Sequence, residues 1–172
     1  RRHTRWARLS RGLGDVYKRQ IFTWGNPSRG DDAIGPVIYE KLQQSGVNNF
    51  DLLTDFQLQI EHAIDLEGRK RVLFVDASAS AKPPFEFCRQ SALKDQSYTT
   101  HAMSPASLLA VYEQVHRRPP PASFLLSVRG YAFGLGKPLS NGGNRNTVLA
   151  LSFIQDLLTQ QGTEAWIALA DK

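Results

Sequence analysis

The chain has 172 residues, of which 41% are hydrophobic, and a net charge of +5. That length suits one domain with a sizeable core, and no apolar run of about 18 residues is present to cross a membrane as a helix. A single cysteine, Cys88, excludes an internal disulfide framework and a cysteine-cluster zinc site, and suits a reducing cytoplasm.

The basic balance points to nucleic acid only until it is located. Residues 1–20, RRHTRWARLSRGLGDVYKRQ, hold seven of the 21 Lys/Arg and one of the 16 acidic side chains. The rest of the chain carries fourteen basic and fifteen acidic residues, so no basic binding face is expected. The segment lacks the apolar stretch and cleavage site of a secretory leader, and has too few apolar residues for an amphipathic transit helix. Its string LSRGLGDVYKRQ resembles translated adapter sequence. Residues 1–20 are therefore expected to be non-native or disordered, and residues 21–172 to form the functional domain.

Residues 21–24 are a short apolar strand ending at the turn Gly25-Asn26-Pro27. Ile34, Val37, Ile38 and Leu42 recur at helical spacing after it, with Asp31 or Asp32 as N-cap and Gly46 as the stop. Residues 50–53 read as a second strand. Residues 58–67 read as a helix with Ile60, Ala63, Ile64 and Leu66 apolar. Residues 71–76 are the clearest strand, apolar enough to be buried on both faces. After Pro83-Pro84, residues 85–89 fit an edge strand. A helix over 104–115 turns Leu108, Leu109, Val111, Tyr112 and Val115 inward, and residues 123–128 form another buried strand. Residues 130–144 read as a Gly/Asn-rich loop and 147–158 as the last helix. This alternation predicts an α/β fold, a three-layer α/β/α domain with a mostly parallel sheet of about five strands. Function in such folds gathers at the carboxyl ends of the strands.

Three polar clusters fall there, at residues 25–32, 54–57 and 76–80, and Thr99-Thr100-His101 precedes a helix. Each has a plain explanation. Asp31 and Asp32 can cap a helix, Asp55 can be a turn residue, Asp76 can cap the turn after its strand, and His101 can be a surface or capping residue. Glu61 and Asp65, four apart, can share a cation or simply be solvated. Arriving together, the carboxylates and the histidine favour a cation over an anion. Nitrogen and oxygen donors without thiolate suit Ni, Zn or Mn, and three protein ligands leave coordination positions open. Nucleophilic catalysis is not indicated, because no GxSxG elbow occurs and Cys88 falls on a predicted edge strand beside Arg89. The glycine loop GYAFGLG runs into Lys137-Pro138 rather than a helix, which argues against a dinucleotide site.

GNPSRGDDAIG (residues 25–35) resembles the opening motif of hydrogenase maturation proteases. VLFVDAS resembles their central strand, and THAMSPASLL their Thr/Ser-His segment before a helix. The three occur in family order, and the likeness spans roughly residues 21–160. It implies a three-layer α/β endopeptidase that removes the C-terminal extension of a nickel–iron hydrogenase large subunit after nickel insertion. Asp32, Asp55 and His101 are the implied nickel-engaging and catalytic residues. Glu61 is held in reserve, because family members carry a Gly-rich run where this chain has Phe-Gln-Leu-Gln, and ungapped spacing would put Thr54 at the ligand position. The FQLQIEH string reads as a subgroup variant. By the same resemblance nickel arrives with the substrate, the partner is the precursor large subunit, and the protein works as a cytoplasmic monomer with no nucleic-acid or membrane partner. The rival readings are a non-catalytic metal-binding assembly factor and a small-molecule α/β hydrolase.

Overall fold

The computed structural model describes residues 19–47, 49–93 and 103–171. Five strands, β1 (Arg19–Trp24), β2 (Asp51–Asp55), β3 (Arg71–Ser78), β4 (Phe85–Gln90) and β5 (Ala122–Arg129), form one sheet in the order β2-β1-β3-β5-β4. All neighbours are parallel except β4, which runs antiparallel to β5 at the edge. The helices are α1 (Ile34–Gln44), α2 (Pro105–His116), α3 (Asn141–Thr159) and α4 (Thr163–Ala170), with 3-10 helices at Gly30–Ala33 and Ile60–Leu66. This is the predicted three-layer α/β/α fold.

The period of two in each strand divides the core. Ile21, Leu73, Val75, Phe124, Leu126 and Val128 pack with α1, α3 and α4. Phe22, Trp24, Val72 and Phe74 pack with α2 and the Ile60–Leu66 helix, through Leu66, Leu108, Leu109 and Tyr112. No described helix is long and apolar enough to cross a membrane.

Several boundaries differ from expectation, each for a physical reason. β1 starts at Arg19 rather than residue 21. Gln20 is buried and pairs with Asp51 and Val72, and the Arg19 guanidinium donates to the Leu158 carbonyl. The helix expected over 58–67 is a 3-10 helix. At three residues per turn Ala63 and Leu66 share the buried side, Ile64 turns away from it, and Glu61 and Asp65 no longer share a face; Ile60, which opens the helix, is exposed as well. In α2, Val115 is exposed instead of inward, and His116 of the last turn stacks on Tyr112 with ring centroids 4.4 Å apart.

Residues 141–144, expected as loop, begin α3. Ser140 caps that helix by accepting from the Gly143 N–H at 2.9 Å, which offsets two glycines in the first turn. Helix α4 lies beyond the last helix that the spacing predicts. Trp166 anchors it, 1% exposed, with its indole N–H donating to the Leu157 carbonyl at 3.0 Å and its ring edge-on to Phe124. Arg71 gathers the intervening turn by donating to the carbonyls of Gln160, Gln161 and Gly162.

Trimming the chain through residue 18 is expected to leave Tm within about two degrees. Trimming through residue 20 removes two paired strand residues, and the expected loss of about 1–2 kcal/mol lowers Tm by roughly 3–8 °C. Thermal melts of the two truncations, monitored by circular dichroism, check this.

Candidate active site

The sheet edge at the carboxyl ends of β1, β2 and β3 is built first by backbone. Gly25 has φ +142°, and a Cβ there would lie 2.0 Å from the Asp32 carbonyl oxygen, so only glycine lets the loop after β1 close this tightly. The Gly25 N–H donates to the Asp55 carbonyl at 3.1 Å, tying the ends of β1 and β2 together. Asn26 then accepts from the Ser28 N–H through its side chain at 2.9 Å, and its own N–H donates to Asp32 Oδ2 at 3.0 Å.

The adjacent aspartates diverge. Neither caps a helix, contrary to expectation: the 3-10 helix carrying them has Arg29 at its N-cap and no side-chain cap bond, and α1 also lacks one. Asp31 is wholly buried. It accepts from the N–H groups of Tyr131, Ala132 and Ser140 at 2.6, 3.1 and 2.6 Å, and from the Ser140 hydroxyl at 2.7 Å. Its own N–H donates to the Ala132 carbonyl at 2.6 Å. A Cβ on Gly143 would come within 2.7 Å of the carboxylate, so α3 approaches this closely only because that residue is glycine. Burial works to raise the Asp31 pKa, but the donors from Tyr131, Ser140 and Ala132 outweigh it and hold the group below the ordinary carboxylate range.

Asp32 accepts from the Asn26 N–H instead, and its charge acts on Asp76, near the carboxyl end of β3. Burial pushes the Asp76 carboxyl up to about 7; the Ala77 N–H opposes this, the Asp32 charge adds to it, and the Trp24 indole opposes it. Asp76 is thus more than a turn cap. It stands within reach of the Asp32 charge, a like charge that adds to the effect of its burial. Its position on the strand held the signal, because Asp76 has the same parity as Phe74 and so lies on the α2 face of the sheet.

Asp55 ends β2 opposite Trp24 in the register. Its Oδ1 accepts from the Phe56 N–H at 2.6 Å, and its Oδ2 lies 3.5 Å from His62 Nε2. Thr54, the ungapped alternative, is exposed, as is Glu61 on the 3-10 helix. His101 lies outside the described residues; Met103, just after it, packs against the cluster that holds Trp24 and Phe74. Among the described residues no three or more His, Cys, Asp or Glu side chains gather into a group able to hold a metal ion. Cys88 is exposed on β4, at the far edge of the sheet from β2. The described histidines contact Asp55 and Gln59 (His62) and Glu67 and Tyr112 (His116), so no serine or cysteine stands beside an imidazole as an activated nucleophile among the described residues.

Fold and edge together define a doubly wound α/β protein with a carboxylate site at the carboxyl end of its sheet. Within that class, the chain shares its fold with solved hydrogenase maturation proteases. The endopeptidase HybD from E. coli matches at 21% identity and a TM-score of 0.66, over 84% of this chain and 94% of that one. HycI from Thermococcus kodakarensis KOD1 matches at 19% and 0.65, over 83% and 93%. A hydrogenase 2 maturation peptidase from a Thaumarchaeota archaeon matches at 19% and 0.59, over 83% and 98%. No family model matches the sequence, and no curated protein matches it.

The two buried acids act oppositely on stability. Asp31 has a depressed folded pKa, so its contribution is present above the unfolded pKa of about 4 and is lost as pH falls below it. Asp31→Asn is expected to lose about 2–4 kcal/mol at pH 7, with the deficit narrowing toward pH 3. Asp76 has a raised folded pKa, so its penalty grows from pH 4 upward and is complete above about 7. Asp76→Asn is therefore expected to raise Tm by a few degrees at pH 8 and to change it little near pH 4. Urea unfolding of both variants across pH checks both signs.

Proposed function

We propose that the chain is a hydrogenase maturation endopeptidase, which removes the C-terminal extension of a nickel–iron hydrogenase large subunit once nickel has been inserted. The observation that carries this reading is the gathering of Asp32, from the GNPSRGDDAIG motif, and a partly buried Asp76 at the carboxyl end of the sheet, near enough for the charge of one to act on the other. The fold it occurs in is shared with solved proteins of that name.

The physics of these two acids favours a metal-bearing substrate. Two carboxylates in a partly buried site repel one another when ionised, and a divalent cation relieves that repulsion. Nickel held by the large subunit supplies the cation, so a loaded precursor binds better than an empty one. The protease thereby acts as a checkpoint through differential binding. In this reading Asp32, Asp76 and His101 engage the metal, with Asp76 taking the place that the resemblance gave to Asp55. Asp55, on the same sheet face, is assigned to take the proton from the water that attacks the scissile carbonyl. Cys88 has no part in this chemistry, and the reaction takes place in the cytoplasm.

The test incubates a precursor large subunit, with and without nickel, with wild type and variants, reading the size shift of the product. Asp32→Asn, Asp76→Asn and His101→Ala are expected to abolish processing with normal circular dichroism. Asp55→Asn should slow it by about 10²–10⁴-fold, whereas Glu61→Gln should be mild and Cys88→Ser should remain active. Precursor bound but left intact by wild type would favour the assembly-factor reading. Equal cleavage of nickel-free precursor would sink the checkpoint.

A further inference from the structure

His62 stands at this edge against Asp55, and neither the resemblance nor the proposed chemistry uses it. It sits in the first turn of the Ile60–Leu66 helix, and its Nδ1 accepts from the Gln59 N–H at 3.0 Å. A nitrogen that accepts a hydrogen bond carries no proton, so in the neutral ring the proton resides on Nε2. That nitrogen faces Asp55 Oδ2 at 3.5 Å. The ring is held on its other side by Phe22, with centroids 5.7 Å apart, and the side chain is 13% exposed. Asp55 is thereby addressed on both oxygens, by the Phe56 N–H at Oδ1 and by the imidazole at Oδ2.

We propose that His62 is a positioning residue: its imidazole, fixed as the Nε2–H tautomer by the Gln59 N–H, orients the Asp55 carboxylate for its role at the sheet edge. The proposal rests on the function proposed above. A distance of 3.5 Å is long for a hydrogen bond, and contacts of this kind shorten when substrate fills a site. The arrangement follows the logic by which a partner hydrogen bond fixes the direction of a working group, where loss of the partner typically lowers activity or affinity about 10–100-fold.

A histidine here also caps its helix, and the two roles separate by substitution. Glutamate and glutamine are both good acceptors at this cap position. Only glutamine retains a donor for Asp55, and glutamate places a like charge beside it. His62→Gln and His62→Glu are therefore expected to melt within a few degrees of each other. His62→Gln should keep at least about a third of wild-type kcat/KM, and His62→Glu should lose about 10–100-fold, chiefly in kcat. In an Asp55→Asn background the Glu/Gln difference should vanish, because the group being positioned is gone. His62→Phe, which keeps the ring against Phe22 without a polar atom, should match His62→Glu in activity and guards against a charge-specific folding defect. Equal activity of the Glu and Gln variants, or a Glu/Gln difference that persists in Asp55→Asn, would overturn the proposal. Wild type and Asp32→Asn run alongside: failure of wild type to cleave nickel-loaded precursor overturns the function itself, whereas cleavage by wild type and His62→Glu alike overturns only the role of His62.

Discussion

The buried carboxylate of Asp31 is the interaction on which the site depends. With three backbone N–H groups and one hydroxyl converging on it, the carboxylate replaces water completely while remaining ionised. Those donors come from the segment between β5 and α3, about a hundred residues further along the chain. One side chain thus fixes the loop after β1 against the loop after β5, and sets where α3 begins, since Ser140 is both an Asp31 partner and the α3 cap. Asp32 is left to hold the Asn26 N–H and to act on Asp76 while its neighbour is committed to the interior.

The edge itself is the opposite case. Where Asp31 is fully satisfied, Asp76 is held by one N–H and one indole and opposed by Asp32. A group that burial and a like charge both disfavour as an anion lowers the stability of the fold above neutral pH. Such local conflict is absent from the neighbouring core, where Phe22, Phe74 and Trp24 pack ring against ring. The contrast between two acids on adjoining elements comes from their donors, not from their residue type.

Sequence patterning carried far into the fold because the strongest signals are local. β3 was legible as a nearly unbroken apolar run, β4 as an edge strand after a proline pair, and α2 from its apolar spacing. Misreadings cluster where a distant partner decides. Gly142 and Gly143 argue for loop by propensity, yet the Ser140 cap and the Asp31 contact draw them into α3. Helix α4 is short and amphipathic only in part, and it exists because Trp166 finds Phe124 and Arg71. The segment after β2 repeats its apolar residues at α-helical spacing but winds at three per turn, which leaves Ile64 outside.

By itself the sequence determined the layer architecture, the edge at which polar residues gather, and the motif that supplies Asp32, because hydrophobic period and turn chemistry are written in neighbouring residues. Only the tertiary structure decided where each acid stands. Asp31 became a buried clasp, Asp76 a partly buried acid within reach of the Asp32 charge, and Asp55 the neighbour of His62. Those assignments depend on donors and charges brought from other strands and loops, and hydrogen-bond satisfaction and burial are properties of the assembled fold rather than of any local string.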